Sequence, residues 1–235
     1  MNTLRKVLVV AVLAPTLALA PTLAASEIEG ALILLEAAPG TPGSEAWGAP
    51  PRFALLEDGQ VFVGGSSQLE TTRLEKGELA ALRKRIEAAR KAVERLARQS
   101  PETPGASRVR VRFLAGKPTE AVLDLPMAGH PPGASPAAAS SPLAAFVAEL
   151  LRYDHPALVR YGPASYALSA QQRALVGGCR PWTFRFPIEQ ALAVPVAVAA
   201  ADAIGWPTGA LPASVCAGDK RFVVTLRPLL PGERP

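Results

Sequence analysis

Phe53-Ala54-Leu55-Leu56-Glu57-Asp58-Gly59-Gln60-Val61-Phe62-Val63 is the stretch on which the fold class turns. Two apolar, β-prone runs flank Asp58-Gly59. That dipeptide tolerates the positive φ angles of a type I′ turn, whose twist matches the strands on either side. The segment therefore predicts an antiparallel hairpin. Apolar side chains at successive positions lie on opposite faces of a strand, so both faces of this hairpin are expected to be covered.

On the C-terminal side, a short extended piece ending near Leu74 leads into a helix predicted over about 76–99. Leu79, Leu82, Ile86, Ala89, Val93 and Leu96 recur at spacings of three and four, giving one apolar stripe. At 1.5 Å per residue such a helix is about 35 Å long, enough to cross a sheet. Pro101 and Pro104 end it. Two more strands are expected at 108–114 and 119–125, the first alternating Val109, Val111 and Phe113 with arginines. Residues 129–141 are Pro/Ala/Ser-rich and read as a loop. Ser141 as N-cap and Pro142 at the first helical position start a second, shorter helix over 142–153.

The last third is expected to hold a strand near 164–168 and irregular structure around 179–187. An apolar strand or short helix should precede Trp206, with a last strand over 221–227 and a surface tail from Pro228 to Pro235. Toward the N-terminus, residues 27–37 read as another strand. Strands outnumber helices without strict alternation, so the class is α+β: a mainly antiparallel sheet with a long amphipathic helix and a shorter helix packed on it.

Residues 1–25 have the three parts of a secretory signal: Arg5 and Lys6, an apolar run from Val7 to Ala20, and small residues at Ala20, Ala24 and Ala25. Cleavage is expected after Ala24 or Ala25. The second apolar run, 191–201, is interrupted by Pro195 and too short to span a bilayer, so no membrane span is expected after cleavage. The rest divides into a strand, hairpin and long-helix region (26–128), the loop (129–141) and a helix and strand region (142–235), packed as one domain.

Removing Arg5 and Lys6 leaves 23 basic against 20 acidic side chains, a mild excess that does not suggest nucleic acid. The two cysteines, Cys179 and Cys216, are expected to form a disulfide in an oxidising compartment, the alternative being two separate buried thiols. Asn2 is the only asparagine, and proline is abundant. Heat adaptation and a GC-rich genome would each produce this bias.

Several phrases resemble a group of uncharacterised exported proteins from actinobacteria and other bacteria. The hairpin is similar to their F-x-L-Y-x-D-G-x-V, and Arg73-Leu74-Glu75-Lys76-Gly77-Glu78-Leu79 to their R-L-x-x-x-E-L helix start. The ending Arg227-Pro228-Leu229-Leu230-Pro231-Gly232-Glu233 is similar too. Leu56 stands where tyrosine is usual, and Glu75 where a Ser or Thr cap is common. The resemblance implies the fold and export, and carries no activity.

No catalytic, metal-binding or cofactor-binding residue is assigned. The sequence lacks G-x-S-x-G, H-E-x-x-H, G-x-x-x-x-G-K and CxxC. His130 lies in a loop. His155 follows Asp154 at the end of the second helix, where it is expected to satisfy the last carbonyls. Ser66, Ser67, Ser140 and Ser141 sit in turns or caps without an identified base. Trp47, Trp182 and Trp206 read as core anchors, with a sugar- or peptide-stacking platform as the alternative. Trp182 and Trp206 fall between the two cysteines, so a disulfide-pinned subregion is expected.

Between Lys76 and Arg98 there are eight basic and three acidic residues. Glu87–Lys91 and Glu94–Arg98 are pairs in the favourable order. Arg83, Arg85 and Arg95 lack such a partner and form the candidate anion-binding surface. The composition favours a non-catalytic binding or structural module of the cell envelope, partnered by another envelope protein or an anionic polymer. A secreted hydrolase with a dispersed carboxylate or serine site is the alternative.

Overall fold

The computed structural model describes residues 28–37, 50–64, 68–96, 107–125, 141–173, 177–208 and 212–235. The expected signal (1–25) and loop residues 129–140 lie outside these. The chain is α+β, and its strands divide between two sheets.

The first sheet is built around the hairpin. Strand β1 (Ala31–Ala37) pairs with β2 (Phe53–Leu56), which pairs with β3 (Gln60–Val63), then β4 (Glu70–Arg73). On the other side of β1 come β5 (Ser107–Phe113) and β6 (Thr119–Leu125), and β7 (Val159–Arg160) closes the far edge. Every pairing is antiparallel. The hairpin turn differs from expectation. Asp58 does not take positive φ; only Gly59 does, at 86°, and the amide of Gly59 donates to the carbonyl of Leu56. The loop thus has three residues, a reverse turn followed by a left-handed glycine. The carboxylate of Asp58 accepts from the Gln60 amide at 3.0 Å, fixing the bulge from the side.

Both faces of the hairpin are covered, as its consecutive apolar residues require. Phe53, Leu55 and Val61 share one core with Leu82, Ile86, Ala89 and Val93 of helix α1 (Lys76–Leu96) and with Leu143, Val147 and Leu150 of α2 (Pro142–Leu150). Ser141 caps α2, its hydroxyl accepting from the Ala144 amide at 3.1 Å. Ala54, Leu56 and Phe62 face the other way, into a smaller core with Ile28, Leu34 and Leu230.

After β7, Gly162-Pro163 cannot continue a ladder, and the chain starts a second sheet. Its order is β10 (Val196–Ala199), β8 (Ser165–Gln172), β12 (Lys220–Pro228), β11 (Ala213–Ala217), β9 (Arg180–Pro181). Only the short β9 to β11 pairing is parallel. Helix α3 (Gln190–Ala193) and a 3₁₀ turn (Ala200–Ala203) flank β10, so the apolar run before Trp206 forms both a helix and a strand.

The tail corrects the sequence reading. Leu229, Leu230 and Glu233 are buried, not on the surface. Arg227 lies one residue before the end of β12 with its side chain 9% exposed, and the fully buried carboxylate of Glu233 accepts from it at 2.6 Å. The second oxygen of Glu233 accepts from the Leu230 amide, and Glu233 pairs with Ile28 through an isolated bridge. Tyr161 donates its hydroxyl proton to the Leu229 carbonyl. Gly232 takes φ 72°, and a Cβ there would meet Glu29 at 3.1 Å. Arg-Pro-Leu-Leu-Pro-Gly-Glu is therefore a clasp that carries the end of the second sheet onto the outer face of the first.

Removing one partner of a buried ion pair leaves the other charge uncompensated, at about 3–5 kcal/mol. Glu233→Ala should lose that much in denaturant unfolding. A loss below about 1 kcal/mol, typical of solvated pairs, would show that the clasp does not hold the sheets together.

Candidate functional site

Cys179 and Cys216 are joined, with Cα atoms 5.6 Å apart, beside the β9–β11 pairing. The bond ties the start of loop 182–187 to the end of β11, and the Trp182 amide donates to the Cys216 carbonyl. Loop 182–187 then folds back on itself. The Trp182 indole N–H donates to the Phe186 carbonyl at 2.7 Å, and the rings of Trp182, Phe184 and Phe186 contact one another. Trp206 completes the cluster, 4.6 Å from Phe184 and 6.1 Å from Trp182 between centroids. The Arg180 guanidinium lies over the indole of Trp206 at 4.2 Å and donates to the Gly205 carbonyl at 3.0 Å. Trp182 and Trp206 thus meet as the Cys179–Cys216 interval led one to expect.

Between Ala203 and Trp206 the backbone makes a tight turn, closed by the Trp206 amide on the Ala203 carbonyl. Ile204 has φ −58° and ψ 130°, and Gly205 has φ 78°, the angles of a type II turn. Ile204 is 81% exposed at its apex, and Val194, after α3, is 63% exposed. Trp182, Phe184 and Phe186 are half-buried, and Arg185 is exposed. The pinned cluster offers the apolar side chain of Ile204 on a rigid support, with the Arg180 guanidinium beside the turn. Such a surface can bind. Arg180, Val194 and Ile204 were not picked out from sequence; an exposed isoleucine becomes visible only once the turn type is known.

The arginines of α1 are engaged by other elements. Arg83 donates to the Glu57 carbonyl at 2.7 Å. Arg85 grips both oxygens of Glu149 on α2 and covers the Phe146 ring. That grip holds the Glu149 carboxyl below its ordinary range, the hydrogen bond from Arg85 being the main cause. The Arg95 side chain lies outside the described residues, as do Arg98, Trp47, His130, Ser66, Ser67 and Ser140. Glu87 meets Lys91 as the spacing predicted, and more closely meets Arg90 at 2.7 Å.

His155 departs from expectation. The carbonyl of Ala148 is taken by Arg152, and His155 instead reaches α1, with Nε2 3.4 Å from Glu78. Its Nδ1 accepts from the Ala157 amide. Glu78 also accepts from the Glu75 amide, half of a capping box. That amide first, and His155 second, hold the Glu78 carboxyl below its ordinary range.

A second charged group lies on the outer face of the first sheet. Burial raises the Glu36 carboxyl, opposed by Arg112 at 3.8 Å and by Arg110. The Arg110 Nε lies 3.2 Å from a Glu120 oxygen, but its N–H is not aligned for a hydrogen bond. Among the described residues, no three His, Cys, Asp or Glu gather as a metal site.

No protein family matches the chain, and neither a curated protein nor a solved structure matches it.

Two outcomes are expected. Replacing both Cys179 and Cys216 with serine should cost about 4 kcal/mol on chain-entropy grounds, measured by denaturant unfolding; no loss would show that the aromatic cluster holds itself. A carboxyl whose folded pKa is raised stabilises below the ordinary carboxylate range, and that gain disappears as pH rises through the raised value. Wild-type stability should therefore rise relative to Glu36→Gln as pH falls from about 7 to about 4. A pH-independent difference would refute the burial of that charge.

Proposed function

We propose that this chain is an exported, non-catalytic binding module of the extracytoplasmic space, and that its contact site is the disulfide-pinned aromatic end of the second sheet. The observation that carries the reading is Ile204, held in solvent by a turn whose neighbour Trp206 is locked by Arg180 and by the rings of Trp182 and Phe184. Apolar groups presented rigidly lose little freedom on binding, so their burial is retained as affinity. The disulfide is compatible with an oxidising compartment. Among the described residues no helix is long and apolar enough to cross a membrane. The signal-like residues 1–25 supply the route out of the cytoplasm.

On this reading the amphipathic helix α1 is scaffold. Its apolar stripe faces the first sheet, and Arg83 and Arg85 hold the loop of the hairpin and helix α2.

The test is cosedimentation of the mature chain with the whole envelope fraction of the source cells, beside Ile204→Asp, Arg185→Glu and Arg83→Glu. The first two should abolish association and the third should leave it intact. A wild type that stays in the supernatant, or three variants that sediment like it, would overturn the reading.

A further inference from the structure

We propose that the partner of this end is a bilayer surface bearing anionic headgroups, onto which the chain docks with Ile204 inserted; this rests on the binding-module reading above. The first argument is shape. The apex of a type II turn ordinarily carries proline or a polar residue. Here it carries a β-branched aliphatic side chain, 81% exposed, on a turn fixed from both sides. A projecting apolar group needs a deformable apolar medium or a socket.

The second argument is the state of the rings. Trp206 is buried, with Arg180 over its indole and Phe184 packed against it. The Trp182 N–H is already satisfied by Phe186. Sugar stacking needs an open ring face beside a polar group, and Trp206 does not offer one. Half-buried rings with apolar bodies and arginine beside them suit the boundary between headgroups and acyl chains.

The third argument is charge. Arg180 reaches the turn at Gly205, Arg185 is exposed in the loop whose Phe184 packs on Trp206, and the strand ends that meet beside the disulfide add Arg173, Lys220 and Arg221. Through the same described residues, 173 to 221, only Glu189, Asp202 and Asp219 oppose them. The surplus is positive, and each cation near an anionic leaflet adds attraction that decays over a Debye length. Apolar insertion plus a modest cationic surplus gives a chain that lies on a membrane and does not span it.

The experiment is flotation of the mature chain with vesicles of phosphatidylglycerol and phosphatidylcholine in equal parts, and with phosphatidylcholine alone. Wild type should float with the anionic vesicles, less at high salt, and far less with the neutral ones. Ile204→Asp should lower the partition by at least about tenfold, the effect of one buried aliphatic side chain. Val159→Asp, at another exposed apolar position, on β7 of the first sheet, should leave it unchanged. Equal flotation of wild type and Ile204→Asp would overturn the assignment. If no vesicle binds, yet Ile204→Asp still abolishes cosedimentation with the envelope, the lipid assignment falls and the binding module stands, with a protein or polymer as occupant. If neither association occurs, both fall.

Discussion

A guanidinium buried at the end of a central strand obliges the chain to bring a carboxylate to it. Arg227 is that group, and Glu233, six residues on, is the answer. Taking two charges out of water is expensive, and their attraction recovers the cost only with good geometry and further hydrogen bonds. The Leu230 amide supplies one such bond, and the bridge to Ile28 holds the backbone around it. An apolar pair of similar volume would pack as well, yet would not dictate where residues 229–233 go. The pair fixes direction: it places Leu230 in one core with Leu34, Ala54 and Phe62 and so ties the second sheet to the first. One donor, the Nε of Arg227, remains without a partner in the described residues, a local cost of that arrangement.

Much of the fold was legible because it depends on local pattern. The hairpin, the stripe of Leu82, Ile86, Ala89 and Val93, and the Ser141-Pro142 cap all follow from the period or turn chemistry of a few adjacent residues. The type I′ expectation failed because Asp-Gly is equally suited to a loop one residue longer. The choice is made by register: Leu55 pairs with Val61, and that leaves room for Glu57 outside the ladder. The division into two sheets was not legible either, since it turns on which distant strands β8 finds, and strand β11 is too short and mixed to show a period.

The site was legible only as an interval. Two cysteines bracketing two tryptophans pointed to a pinned subregion, and the rings do cluster there. What the residues present to solvent was hidden, because exposure is set by tertiary packing: Trp206 is buried by Arg180 and Phe184, and Ile204 is left out by a turn. The arginines of α1 went the other way. Reading partners only along the helix left Arg83 and Arg85 unmatched, whereas Glu57 and Glu149 reach them from elsewhere in the chain.

The clasp also sets an order of events. The core that covers the outer face of the first hairpin is completed by Leu230, and Ile28 finds its partner in Glu233, about two hundred residues further on. An intermediate in which residues 229–233 are not yet in place cannot close that core.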